Sequence, residues 1–349
     1  MNTRNLCLLM FLAFFSLNTA VGDIVKIRPD APERYVVVKG DTLWDISERF
    51  LNTPWLWPEV WQLNPEIANP HLIYPGDIIY LTYDQSGRPR LSVQRGRPTM
   101  KLSPTARSSR IDRAIPTIPV DAIHQFLTRG GILTKEEYEK SPYIVAFQDD
   151  RIVAATADTA YVRGLPDEQL ADLYSIVRLG KAYRDPTQEN KILGYETIEV
   201  GSAEMEKSGD PATLTITDVN REVLAGDRVF PASDTDALES YFPHAPDKHI
   251  EGLIIAVLDG VSRIGQYHVV AINQGINAGI EKGHVFSVYQ SGRKVRDPYT
   301  DDNEQRHVIL PDIEAGHVLI FRTFENVSYG LVMRALKDIR LFDKIETPR

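Results

Sequence analysis

Three patterns of apolar and polar positions follow one another along the chain. Residues 6–17 are apolar with the exception of Ser16. Between residues 34 and 82, two β-branched runs enclose a stretch in which apolar side chains recur at helical spacing. Beyond residue 143, short apolar runs alternate with glycine and proline, which is typical of strands and turns. The chain is therefore predicted to be α+β, with a small mixed module followed by a mostly β region.

The first twenty residues have the three-part pattern of a cleavable secretory signal. Arg4 gives a positive start, residues 6–17 form the apolar stretch, and Ala20 stands at the expected cleavage point. The stretch is too short to cross a bilayer at ~1.5 Å per residue, so an uncleaved anchor is the weaker alternative. We expect a periplasmic protein. Cys7 is the single cysteine and would be removed, which excludes disulfides, a cysteine-ligated metal and a cysteine nucleophile.

Residues 33–82 predict a module with the order strand, helix, helix, strand. The run 34–39 is rich in β-branched residues, and Thr42 can cap the helix that follows it. Leu43, Ile46 and Phe50 recur at helical spacing and define its buried face. The remaining elements are a second helix from near Trp55 to Asn64-Pro65, a turn at 74–77 and a closing strand at 78–81.

Three motifs in this module resemble the LysM domain. They are Tyr35 to Ile46, Asn64-Pro65 and Ile73 to Ile79, which follow one another in the order of that family. The resemblance implies a βααβ module that binds N-acetylglucosamine-containing glycans, in bacteria the peptidoglycan strand, in a shallow groove between two loops. By that resemblance the glycan-binding residues are Gly40, Asp41, Thr42, Leu43 and Trp44 on the first loop, and Asn64, Ile73, Tyr74, Pro75 and Gly76 on the second.

All four tryptophans of the chain lie in this module. Such rings can form a stacking platform for sugars, but a small domain also needs large aromatic side chains to build a core. For Trp57 and Trp61 the core interpretation is favoured. For Trp44 and Trp55 both interpretations stay open.

Residues 83–120 predict a basic, proline-rich linker. This stretch contains eight arginines and lysines but only two aspartates, and its five prolines interrupt regular structure. The segment is either a solvated tether or a basic arm for an acidic partner surface. As a flexible coil it would span roughly 35 Å, which would let the module search for glycan at a distance.

Residues 121–349 predict one short helix over 121–127 and then a mostly β region. The candidate strands are 143–147, 151–155, 159–163, 173–179, 195–203, 212–219, 252–258, 267–272, 284–290, 315–323 and 328–336. Segments 174–186 and 286–298 align without gaps and share five of thirteen residues. An internal duplication is therefore expected, with related units around 174–231 and 286–348. The stretches Gly180 to Pro186 and Gly292 to Pro298 are expected to be hairpin loops.

Parts of this region resemble the type IV pilus secretin-associated protein (TsaP) family. The similar segments are Ala114 to Ile123, Ser141 to Ala146 and Tyr161 to Leu165. The resemblance implies a peptidoglycan-binding protein that ties an outer-membrane secretin ring to the cell wall. Many copies on one ring would strengthen attachment, since avidity can add a factor of ~10² to 10⁴.

The sequence contains no pattern that predicts catalysis or a cofactor. Its eight histidines form no H-E-x-x-H or H-x-H motif, and the pair His244 and His249 is a weak metal candidate. Glu239-Ser240 matches two letters of a lytic transglycosylase site in β-rich surroundings. The net charge of −9 argues against a nucleic-acid partner, and the chain beyond the signal has no run long enough to span a membrane.

These patterns favour a non-catalytic scaffold over two alternatives. In the scaffold, the LysM module holds glycan and the β region docks an envelope protein, with the pilus secretin as the candidate. The first alternative is a cell-wall remodelling enzyme with an unrecognised active site. The second is a wall-anchored scaffold of another envelope machine.

Overall fold

A computed structural model describes residues 25–62, 73–95, 114–128, 131–165, 171–232, 241–258, 263–299 and 306–348. The expected secretory signal, Asn64, Glu239-Ser240 and residues 96–113 of the expected linker lie outside these described residues. Within the described part of the chain, no helix is both long and apolar enough to cross a membrane.

Four α-helices, twenty strands and short 3-10 helices make up the described regular structure. The helices are α1 Leu43–Phe50, α2 Trp57–Gln62, α3 Val120–Thr128 and α4 Lys135–Lys140. The strands are β1 Arg34–Val36, β2 Ile78–Tyr83, β3 Pro89–Gln94, β4 Ile132–Leu133, β5 Tyr143–Phe147, β6 Val153–Ala154, β7 Thr159–Arg163, β8 Leu173–Asp185, β9 Lys191–Lys207, β10 Ala212–Val219, β11 Val223–Leu224, β12 Arg228–Pro231, β13 Glu251–Val257, β14 Val269–Ile272, β15 Val285–Gln290, β16 Lys294–Arg296, β17 His307–Ile309, β18 Ile313–Thr323, β19 Ser328–Ala335 and β20 Lys344–Glu346.

The N-terminal module packs α1 and α2 against a sheet with the order β1-β2-β3. The third strand lies inside the segment that the sequence assigns to the linker, so the expectation of irregular structure is wrong for residues 89–94. Pro89 is compatible with β3 because it is the first residue of an edge strand, where a missing N–H costs little. The module therefore extends at least to Gln94.

The first barrel is formed by six strands between Tyr143 and Pro231. Strand β10 pairs with β7 on one side and β9 on the other, which closes the ring β10-β7-β5-β12-β8-β9. The short strand β4 adds to the outside of β9. Apolar side chains fill the interior, among them Ile144, Val162, Tyr174, Ile176 and Leu214.

The second barrel is formed by six strands between Glu251 and Glu346. Its closed ring is β13-β14-β19-β18-β15-β20. Matching the strands of the two barrels in chain order (β5 with β13, β7 with β14, β8 with β15, β9 with β18, β10 with β19, β12 with β20) gives the same ring in both. The internal duplication stays a prediction, which this common strand order supports.

The expected hairpin loop at Gly180 to Pro186 is wrong in position. Strand β8 continues through Asp185, and the turn lies at residues 186–190. The pairing of β8 with β9 shifts register between Leu179 and Ala182. Gly180 therefore lies at a bulge within the strand, a place that favours glycine as much as a turn does.

A fourth apolar core joins the module and both barrels. The outer face of the second barrel contributes Leu319, Phe321, Tyr329, Leu331 and Met333, which alternate with Val318, Ile320 and Val332 of the barrel interior. This shared core also contains Trp44, Trp55 and Leu56 of the module, Ile118, Ile123 and Leu127 around α3, and Tyr183 and Leu193 from the hairpin of the first barrel. The module is therefore packed on the second barrel, in contrast to the freely searching module expected from the linker.

Candidate functional site

The module groove is the surface between residues 40–44 and residues 73–76, the two loops that the LysM resemblance indicates. The first loop is stabilised by the carboxylate of Asp41. Gly40 begins this loop with φ of +99°, which a side chain would strain. Asp41 is 8% exposed, and its Oδ2 accepts hydrogen bonds from the Val38 N–H at 2.9 Å and the Tyr35 hydroxyl at 3.0 Å. The Asp41 carboxylate is thus engaged inside the loop.

The start of α1 supplies the backbone donors of the groove. Thr42 and Asp45 form a capping box, in which the Asp45 N–H donates to Thr42 Oγ1 and the Thr42 N–H donates to Asp45 Oδ2, both at 3.1 Å. The capping box leaves the N–H groups of Leu43 and Trp44 without an intrahelical acceptor, because the first turn of a helix has none to offer. These two donors require an acceptor from outside the helix.

The second loop is held by Asp77. Gly76 has φ of +94° and is exposed, whereas Tyr74 and Pro75 are half-buried. The Tyr74 N–H donates to Asp77 Oδ2 at 3.1 Å, and the same carboxylate oxygen lies 2.8 Å from the Arg95 guanidinium. Arg95 also lies 5.5 Å from the centre of the Tyr74 ring. Strand β3 therefore helps to position the loop, since Arg95 directly follows it.

A strip of the chain itself, residues 114–118, bridges the two loops. Ile115, Thr117 and Ile118 are buried, with exposures of 5%, 4% and 0%. The hydrogen bonds run from Leu43 N–H to Pro116 O at 3.0 Å, from Trp44 N–H to Thr117 O at 3.2 Å and from Ile115 N–H to Ile73 O at 2.8 Å. The structure thus brings the predicted loops together and places residues of the expected linker between them.

The four tryptophans are all buried, at 4% exposure or less. Trp57 and Trp61 pack within the module core, as the sequence favours. Trp44 and Trp55 belong to the shared core, and the Trp55 ring lies 4.5 Å from the ring of His317. Trp44 can therefore stack on a sugar only if the residues of the shared core that cover it move away.

Polar contacts from the second barrel complete the surroundings of α1. The Tyr267 hydroxyl donates to Asp45 Oδ1 at 2.9 Å, and Arg334 Nε lies 3.0 Å from Glu48 Oε1. Burial, together with the nearby negative charge of Asp45, raises the pKa of Tyr267 above its usual value. Burial, together with the positive charge of Arg334, lowers the pKa of His317 to about 3. His317 is therefore neutral at physiological pH.

Sequence reasoning missed these barrel residues and the strip 114–118. Tyr267 follows Asp45 by 222 residues, and no pattern in the sequence links the two. The strip did carry a signal, because two isoleucines within a basic, polar segment indicate local burial.

In the described residues the structure assembles two groups of possible metal ligands that the sequence did not predict. His244, Glu281 and His284 bring ligand atoms within 4.8 Å of one another. However, His284 Nδ1 accepts the Glu281 N–H at 3.1 Å, which leaves the proton of the neutral ring on Nε2. A metal needs a lone pair on the nitrogen that it binds, so this group is not prepared for an ion.

His249 lies in the second group, so the structure separates His244 and His249, the weak metal candidate of the sequence. His249 Nε2 is 3.0 Å from Glu251 Oε1, and Glu346 stands beside them. The Lys344 ammonium lies 3.2 Å from Glu251 and 3.7 Å from Glu346. Lys344 already supplies the positive charge that these carboxylates favour.

Comparison with known proteins assigns the module to a family. Residues 35–82 match the model of the LysM domain. An uncharacterized protein of Bacillus subtilis (strain 168), YqbP, is 38% identical over 63 residues, which cover 15% of this chain and 29% of that protein. The chain thus spans less than a third of the curated relative that it matches. Residues 35–82 are a LysM domain, and the module groove between its two loops is its candidate glycan site.

Proposed function

We propose that this chain is a non-catalytic cell-wall scaffold. Its LysM domain binds N-acetylglucosamine-containing strands of peptidoglycan in the module groove, and its two barrels hold an envelope protein in the periplasm. The observation that carries the proposal is the LysM domain itself, with the groove geometry in support. Leu43 and Trp44 offer backbone N–H donors, and Ile73 offers a carbonyl acceptor.

This arrangement suits an acetamido group. Such a group has one N–H and one C=O, and it is uncharged. A backbone donor and a backbone acceptor on opposite walls of a groove can pair with both, and they need no charged side chain to do so. The glycan-binding role of the ten residues assigned by resemblance is part of this proposal.

The identity of the protein partner rests on resemblance to the secretin-associated family. On that basis the partner is the outer-membrane secretin ring of the type IV pilus. A ring with many copies of the chain would convert weak single contacts with glycan into firm attachment.

Sedimentation with purified peptidoglycan sacculi tests the wall-binding part. We expect the chain from residue 21 onward to pellet with sacculi and to release no muropeptides. Tyr74→Ala should reduce the pelleted fraction, because Tyr74 lies in the second loop. Tyr83→Ala is the matched control, since Tyr83 is 62% exposed on β2 of the same domain but outside the groove.

Two results would contradict this part of the proposal. Release of muropeptides would indicate an enzyme. If neither the parent chain nor the variant Ile115→Ala pelleted, the glycan-binding role would be rejected.

The secretin part needs a separate experiment. Sacculi isolated from cells with and without this chain should differ in the amount of secretin that they retain. An unchanged amount would reject the secretin as the partner and leave wall binding in place.

A further inference from the structure

The module groove is filled by the chain's own residues 114–118, called here the groove segment. The segment uses the backbone groups that a glycan would need. Leu43 and Trp44 donate to its carbonyl oxygens at 3.0 and 3.2 Å, and Ile73 accepts its N–H at 2.8 Å. Each N–H has a single proton to donate, so these donors cannot serve the segment and a glycan at the same time.

Two buried side chains anchor the groove segment, one in the LysM domain and one in the shared core. Ile115 is 5% exposed and packs into the core of the LysM domain. Ile118 is fully buried and packs into the shared core against the second barrel. The segment therefore holds the first loop, the second loop and the barrel together.

The sequence of the segment prepares it for this extended position. Pro116 and Pro119 fix their own φ angles and bias the residues before them, Ile115 and Ile118, towards extended backbone. Both isoleucines are the buried anchors. Because the unfolded segment already favours the bound shape, little conformational entropy is lost when it docks.

Release of the groove segment can be local. Helix α3 begins at Val120, directly after the segment, and is anchored in the shared core by Ile123 and Leu127. The chain on the C-terminal side of the groove thus stays in place when Ile115 leaves the module. The second barrel need not unfold for the groove to open.

We propose that residues 114–118 are an intramolecular competitor that closes the LysM groove, so that a glycan binds only when the segment leaves it. This inference rests on the proposed glycan-binding function of the same groove. The segment resembles the ligand in the groups that matter, because its peptide units present the same C=O and N–H as an acetamido group. Because only open molecules bind glycan, the apparent affinity is the intrinsic affinity multiplied by the fraction of molecules that are open.

The variant Ile115→Ala in the full chain from residue 21 tests this competition. It removes a buried anchor of the segment and leaves the groove backbone intact. We expect it to bind chitohexaose at least about tenfold more tightly than the parent, as a larger open fraction requires. Ile144→Ala is the matched control, because Ile144 is also buried but lies in the first barrel. It should bind like the parent.

Hydrogen exchange of the parent chain gives a readout that needs no variant. Adding chitohexaose should speed exchange at the Ile115 amide, whose acceptor is Ile73 O, and leave the Val270 amide of β14 unchanged. Equal binding by the parent and Ile115→Ala, with Ile115 still protected, would overturn the competition and leave glycan binding intact. Absence of binding to chitohexaose and sacculi in both proteins would overturn the glycan-binding function, and the competition with it.

Discussion

Tyr267 of the second barrel donates a hydrogen bond of 2.9 Å to Asp45 Oδ1 in the first turn of α1. The other oxygen of Asp45 accepts the N–H of Thr42 at 3.1 Å and so completes the capping box of that helix. One carboxylate thus links the barrel to the turn that supplies the groove donors. The turn that supplies the groove donors is thus in contact with a residue 222 positions further along the chain.

Tyr267→Phe should weaken the docking of the LysM domain on the barrel. The ring remains and only the hydroxyl is lost, so the free energy of unfolding should fall by about 1 kcal/mol, the usual value for a hydrogen bond. Denaturant unfolding measures the change. Tyr299→Phe is the control, because Tyr299 is 95% exposed. Equal stability of both variants would show that the Tyr267 contact does not contribute.

His317 should make the protein sensitive to acid. Its folded pKa is about 3, whereas an unfolded histidine titrates near ~6.5, so below ~6.5 the unfolded chain takes up a proton that the folded chain does not. The contribution of neutral His317 to the free energy of unfolding is therefore complete above pH ~6.5 and is lost as the pH falls towards 3. At pH 5 the loss amounts to about 2 kcal/mol.

The comparison of His317→Gln with the parent isolates this effect. The groups that face His317 are the Trp55 ring, Arg334 and Glu314, whose Oε1 lies 3.6 Å from Nδ1. The free energy of unfolding should fall less steeply from pH 7 to pH 4 in the variant. The slope that remains includes His284, whose pKa is also lowered by burial. Parallel curves for the two proteins would contradict the assignment.

Replacing Gly201 or Gly316 with alanine should destabilise the protein by the same mechanism. A Cβ at Gly201 would overlap Asp218 O of β10, and a Cβ at Gly316 would overlap Arg334 O of β19, the matching strand of the other barrel. Each Gly→Ala variant should lose more than about 2 kcal/mol, because backbone cannot move aside as a side chain can. Calorimetric melting measures the loss.

Gly265→Ala is the matched control for these two variants. The nearest atom to its added Cβ, His268 Cε1, would lie 4.0 Å away. Its melting temperature should stay close to that of the parent. A stable Gly316→Ala variant would show that β18 can shift away from β19.

Asp41→Ala should open the first loop of the groove. Two hydrogen bonds would be lost, those from the Val38 N–H and the Tyr35 hydroxyl, at about 1 kcal/mol each. We expect reduced pelleting with sacculi and a lower melting temperature, with partial recovery in Asp41→Asn. Asp30→Ala is the control, since Asp30 pairs with Arg28 at the surface. Unchanged pelleting by Asp41→Ala would contradict a role for this loop in glycan binding.

Local patterns predicted much of the fold. The predicted strand at 212–219 has the bounds of β10, and the helix predicted over 121–127 is α3 with one more residue at each end. The mostly β character and the LysM domain are confirmed. Strand β3 was missed because it begins with Pro89 and lies in a proline-rich, basic segment, and its pairing with β2 outweighs that local preference.

The sequence by itself determined the elements whose causes are local. Thr42 and Asp45 begin α1 because a capping box acts within four residues, and Gly40 and Gly76 allow turns through their own φ angles. The tertiary structure alone decided that Trp44 is buried, that Tyr267 reaches Asp45 and that residues 114–118 fill the groove. These outcomes depend on which distant surfaces meet. Burial of apolar area is non-directional, so a run of apolar residues indicates that it will be covered but not by what.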